Sequence, residues 1–141
     1  MYRNHILIIV VLAMPIPSHS AKWVSVAGNE EVTVYVNMES IRRTGAKAKT
    51  WLKWQWTKPQ EVPGKYPTKT YVFEKQLQIS DCKQGTLAIA QGIRYADPDG
   101  NDVVDSYASD EKAWKFSEAA PETIGESLIK FACKSTDIRR K

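Results

Sequence analysis

The sequence predicts an α+β fold: a curved antiparallel sheet of about six strands, with one C-terminal helix packed on one face and tethered by a disulfide. Three observations carry that expectation. Apolar residues recur with a period of two, between turn signals, from Lys22 to Ala108. The period then changes, because Ile124, Leu128 and Phe131 fall at the i, i+4, i+7 spacing of one helical face. Two cysteines, Cys82 and Cys133, stand at the end of a strand-like run and at the end of the helical run.

The first 20 residues read as a removable export signal. Arg3 supplies the positive start, Ile6 to Met14 is an unbroken apolar core, and Ser18 and Ser20 are the small residues at −3 and −1 of a cleavage site. The apolar run is far shorter than the roughly 20 residues of a spanning helix, so no transmembrane anchor is expected in the mature chain. No cysteine lies near the cleavage site to carry a lipid. Removing 20 of 141 residues leaves 121 (21–141), enough for a single domain with its own core. Of the 20 Lys+Arg only Arg3 leaves with the signal, so the mature chain stays mildly basic against its 16 Asp+Glu. That excess is too small to argue for nucleic acid. The mature chain is expected to be exported, either periplasmic or displayed at the cell surface.

Lys22 to Val26 forms a first short strand, closed by the turn signal Ala27-Gly28-Asn29. Val32, Val34 and Val36 alternate with Thr33, Tyr35 and Asn37 in the next. Met38 to Gly45 reads as a turn or one helical turn. Lys49 to Thr57 places Leu52, Trp54 and Trp56 on one face and Trp51, Lys53 and Gln55 on the other. Lys58 to Lys69 holds three prolines and a glycine and reads as a long loop, because proline lacks the ladder donor. Tyr71 to Ser80 resumes the alternation, with Tyr71, Phe73, Leu77 and Ile79 in phase. Thr86 to Tyr95 and Asp102 to Ala108 flank a reverse turn at Asp97-Pro98-Asp99-Gly100-Asn101. Such short connections imply antiparallel pairing.

Thr123 to Glu126 spells a capping box that opens a helix running to about Cys133. Gly125 in its first turn costs about 1 kcal/mol against alanine, which suggests close packing there. An oxidising compartment makes Cys82 and Cys133 a structural disulfide, since they lie 51 positions apart and form no C-x-x-C motif. Closing a loop of that size stabilises by about 4 kcal/mol in the chain-entropy model. The amphipathic helix and the alternating sheet each need an apolar partner, and they supply it to one another.

The chemistry-bearing residues point away from catalysis. Both histidines, His5 and His19, fall inside the signal, leaving the mature chain without a histidine base or metal ligand. Asp97, Asp99, Asn101, Asp102 and Asp105 resemble a calcium loop, but position 6 is Asp102 and position 12 is Ala108, where the loop needs glycine and glutamate. A hairpin tip explains them better. The remaining carboxylates form no motif. No cofactor and no metal are expected. Arg42, Arg43, Lys47, Lys49, Lys53 and Lys58, interleaved with Trp51, Trp54 and Trp56, suit a polyanion such as a glycosaminoglycan, lipopolysaccharide or acidic host protein. Core packing of Trp54 and Trp56 beside solvated lysines explains the same pattern.

Several segments together resemble the surface-adhesin protein E family of Gram-negative bacteria. They are Trp23, Val32 to Asn37 followed by Ser40-Ile41-Arg42-Arg43, the Trp51 strand, Ile79 to Cys82, Pro121 to Glu126, and Cys133. The resemblance implies a six-stranded antiparallel sheet with a disulfide-tethered helix, and adhesion to host extracellular-matrix components. Candidate partner contacts are Lys47, Lys49 and Lys53 on the basic strand, with Lys58, Lys65, Tyr66 and Lys69 in the proline-rich loop. The competing expectation is a periplasmic domain that holds a small ligand or envelope component between sheet and helix, using Trp54, Trp56 and Tyr71. An exposed sheet edge would also offer a route to homodimers by strand pairing.

Overall fold

The computed structural model describes residues 21–137. Residues 1–20, where the sequence predicts a signal, and the last four residues lie outside the described residues. The sheet runs β1 (Trp23–Gly28), β2 (Val32–Asn37), β4 (Lys47–Glu61), β5 (Thr70–Asp81), β6 (Thr86–Tyr95) and β7 (Val103–Ala108), each antiparallel to the next. Two further short strands, β3 (Arg42–Thr44) and β8 (Ser117–Glu118), bring the count to eight.

Six tracks across the sheet explain why the sequence suggests about six strands. β3 pairs with β4 at Lys47 to Lys49, and β2 pairs with it further along, at Leu52 to Trp56. They share one track, broken by a 3₁₀ turn at Met38–Ser40. Asn37 caps that turn, accepting the Glu39 N–H at 3.1 Å. β8 likewise pairs with β6 at Thr86 and Leu87, beyond the stretch paired with β7.

The expectation that Lys58 to Lys69 is all loop needs correction. β4 continues to Glu61, through Pro59. The β4–β5 ladder is interrupted between Gln55 and Gln60, and the β2 ladder ends at Trp56. Proline is tolerated there because neither neighbour asks its nitrogen for a hydrogen. The loop proper is shorter, and the Val62 N–H closes it by donating to the Lys69 carbonyl at 2.8 Å.

Alternation sorts the residues as expected. Val32, Val34 and Val36 point to one side with Leu52, while Tyr35 and Lys53 point to the other. Helix α1 (Ile124–Asp137) lies on the valine side against β1, β4, β5 and β6, and Leu128 is buried among Val32, Val34, Val36, Ile41 and Leu52. Each such fully buried aliphatic side chain is worth about 1.5–3 kcal/mol. The Thr123 hydroxyl accepts the Glu126 N–H at 3.4 Å, and the Glu126 carboxylate reaches the Glu122 N–H at 2.9 Å. That is the capping box with its return bond one residue early. Gly125 packs closely, since a Cβ there would lie 3.2 Å from that of Ala119. Cys82 and Cys133 are bonded, their Cα atoms 5.6 Å apart, so the helix is fastened to the end of β5.

Candidate binding face

The helix covers one side of the sheet. On the other side, β4 presents Lys47, Lys49, Trp51 and Lys53, because their neighbours Ala48, Thr50 and Leu52 are buried on the helix side. Lys53 and Lys75 are direct cross-strand partners. Like charges in that position repel. Aromatic rings surround them instead of carboxylates. The Lys53 Nζ lies 4.5 Å from the Tyr35 ring centre and 5.7 Å from that of Trp23. The Lys75 Nζ lies 5.5 Å from Tyr95 and 5.7 Å from Phe73, and those two rings stack at 5.0 Å. Each cation–ring contact offsets roughly 0.5–1 kcal/mol of the repulsion. Among the described residues, none of Lys47, Lys49, Lys53 and Lys75 makes an ion pair.

Two shallow recesses open on this side. One, of about 340 Å³, is lined by Ala21, Trp23, Asn37, Trp51, Lys75, Ile93 and Tyr95. The other, of about 200 Å³, lies further along β4, where Lys47 and Lys49 meet Arg42, Thr44, Ile79, Glu111 and Trp114. The Lys47 Nζ sits 5.3 Å from the Phe116 ring centre beside it.

The buried charges belong to the helix side, toward β7. Arg94 bridges Glu74 at 3.3 Å and Asp105 at 2.8 Å, and its guanidinium is sandwiched between the rings of Tyr71 and Tyr107 at 5.1 and 4.8 Å. The Tyr107 hydroxyl donates to Glu74 at 2.9 Å, and the Gln76 amide donates to Tyr107 at 3.4 Å. Burial first, and the Glu74 charge second, raise both tyrosine hydroxyls above their ordinary value, Tyr107 strongly. Burial also pushes the Asp105 carboxyl up, but hydrogen bonds from Lys65 and Arg94 outweigh it and leave it below its ordinary value. The cluster is balanced in charge, Arg94 and Lys65 against Glu74 and Asp105, although the buried Arg94 Nε has no hydrogen-bond partner among the described residues.

The structure divides the residues singled out from sequence. Lys47, Lys49 and Lys53 lie together on the open face. Lys65 is tied to Asp105 at 3.3 Å. Lys58, Lys69 and Tyr66 are exposed on the β4–β5 hairpin, Tyr66 at 99%. Trp54 and Trp56 stack on each other at 6.1 Å and pack against the Leu128 core, while Tyr71 joins the Arg94 cluster. The three residues expected to hold a small ligand are thus engaged in packing. Asp97 accepts the backbone N–H groups of Asn101 and Asp102 at 3.0 and 2.8 Å, as a turn carboxylate does. Sequence reasoning missed Lys75, Trp23, Tyr35 and Tyr95. Lys75 stands in phase with Phe73 and Leu77, a charge in an apolar row, and that was the available signal.

An antiparallel sheet with one side covered by a disulfide-fastened helix, and the other side aromatic and cationic, defines a small recognition module. The chain belongs to the surface-adhesin protein E family, whose model matches residues 23–134. It is similar in fold to a crystal form of Haemophilus influenzae protein E, with a TM-score of 0.58 at 15% identity, covering 89% of this chain and 97% of that one. Protein E from non-typeable Haemophilus influenzae superposes with a TM-score of 0.54 at 14% identity, covering 90% of this chain and 84% of that one. No curated protein matches the chain. No helix among the described residues is long and apolar enough to cross a membrane.

Proposed function

We propose that this chain is an exported, non-enzymatic adhesin that contacts anionic components of the host matrix through the helix-free side of its sheet. One observation carries the reading. Lys47, Lys49, Lys53 and Lys75 line that side, and among the described residues none of them makes an ion pair, although Asp81 stands opposite Lys47 in the ladder. A protein gains little by gathering unpaired like charges on one surface, whereas a polyanion neutralises them all at once. Lys58, Tyr66 and Lys69 on the hairpin form a second, separate contact in this reading. Family membership supports adhesion, and the apolar leader supports export as a single domain of residues 21–141.

Retention of the mature protein on immobilised heparin and matrix proteins tests the charge-driven contact. It should fall steeply as salt rises, because exposed charges are screened. Changing Lys53 and Lys75 to glutamine should weaken it at least tenfold. Retention indifferent to salt would remove the lysine face from the mechanism. Protease treatment of intact cells tests display: cleavage supports an adhesin, and protein released solely by osmotic shock opposes one.

A further inference from the structure

We infer that the open face is a subsite strip for a linear acidic polysaccharide, with a sugar ring stacked in the Trp23–Trp51–Tyr95 recess and its acid groups on Lys53 and Lys75. This deepens the preceding reading and rests on it. Three features separate a glycan from any other polyanion. The central recess is walled by the half-buried Trp23 and Trp51, flat apolar surfaces that match the C–H face of a pyranose ring, beside the buried Tyr95. Asn37 lines the same recess; its Oδ1 is engaged by the Glu39 N–H, and its amide nitrogen supplies donors for hydroxyl groups. The recess is also shallow and open to solvent rather than enclosed, as a polymer passing through requires.

The second recess repeats the pattern. Lys47, Lys49 and Arg42 again gather beside an aromatic residue, Trp114, and outnumber the one carboxylate there, Glu111. Lys47 lies four residues from Trp51 on the same side of β4, roughly 13 Å at the rise of a strand. Ring and cation therefore recur along one line, and a ligand whose units each carry a ring and an acid group fits that recurrence. An acidic peptide has no ring at each acid group and would leave the aromatic walls uncovered. Ala21 also lines the central recess, so removal of the leader after Ser20 would set a new α-ammonium at its rim.

The test compares size-fractionated heparin oligosaccharides with polyglutamate of equal charge, using calorimetry on the mature protein. Heparin should bind at least tenfold more tightly than polyglutamate, and affinity should climb with chain length until both recesses are spanned. Trp51→Leu should lose at least tenfold toward heparin with its salt slope unchanged, because it removes stacking and leaves charge. Lys47→Gln/Lys49→Gln should abolish the gain from the longer oligosaccharides while sparing the short ones. Urea midpoints of the variants confirm folding, and Trp51→Phe, which restores a flat ring, should recover affinity if Trp51→Leu is destabilised. Equal binding of polyglutamate, or heparin affinity unchanged in Trp51→Leu, would overturn the sugar subsite and leave the anionic adhesin standing. Failure of every polyanion to bind would sink both.

Discussion

Gly92 is the residue on which the buried cluster turns. It faces Tyr107 across the β6–β7 ladder, and a Cβ there would come within 2.4 Å of the tyrosine ring. The ring lies over the glycine and delivers its hydroxyl to Glu74, a carboxylate only 3% exposed. Gly92→Ala must push the ring aside and weaken that bond. The expected cost is about 1–3 kcal/mol, the range for a buried acceptor that loses a partner. Urea midpoints measure it. The loss should shrink in Gly92→Ala/Tyr107→Ala, since touching residues do not add. Equal losses in both backgrounds would detach Gly92 from the ring.

Asp105 makes the same cluster sensitive to acid. Its carboxyl titrates below the ordinary 3.8 in the folded chain. As pH falls, the unfolded chain takes up this proton first, so protonation favours unfolding. The stabilisation is complete above the unfolded value and is lost as pH drops through the folded one. Asp105→Asn should therefore be less stable than the parent at neutral pH and converge with it in strong acid. Thermal melts taken between pH 7 and 2 follow the convergence, and parallel curves would exclude Asp105 from the acid transition.

At the scale of elements, the helix was legible in more detail than the strands around it. Thr123 and Glu126 announced its start because capping is local chemistry between residues three apart. Thr123→Ala removes the hydroxyl that accepts the Glu126 N–H and donates to Ala120, and should cost about 1 kcal/mol in denaturant melts. Thr123→Ser should restore most of it. β3 and β8 were not legible, because strands of three and two residues carry too little alternation to register. Pro59 misled for a different reason. A proline reports that its nitrogen lacks a ladder partner, and the sequence cannot say whether the chain has ended a strand or merely outrun its neighbours. β4 outruns β2, and only pairing reveals it. The binding face shows the same limit. Lys47, Lys49 and Lys53 share a strand and could be grouped by period alone, whereas Lys75, Trp23 and Tyr95 join them across the sheet. Their grouping depends on register.

Across the whole molecule, stability and recognition sit on opposite sides of one layer. The Leu128 core cluster, the disulfide and the Arg94 cluster belong to the helix side, and the lysines without an ion pair to the other. A sheet one layer thick still links the two, because each strand contributes alternate residues to both. The prediction is that the sides separate thermodynamically while the fold is intact. Cys82→Ala/Cys133→Ala frees the helix from β5 and relaxes the unfolded chain over the sequence separation of 51 that the bond closes, at a cost of about 4 kcal/mol. The urea midpoint should fall accordingly. Below the transition, the register of β4 against β5 persists, since Lys53 faces Lys75 through backbone pairing that needs no helix. Heparin retention by the folded variant should therefore match the parent at low temperature and collapse at the temperature where the sheet melts. Circular dichroism fixes the folded fraction at each point. A drop in retention while the sheet remains folded would mean that the helix shapes the lysine face from behind, through the strands they share.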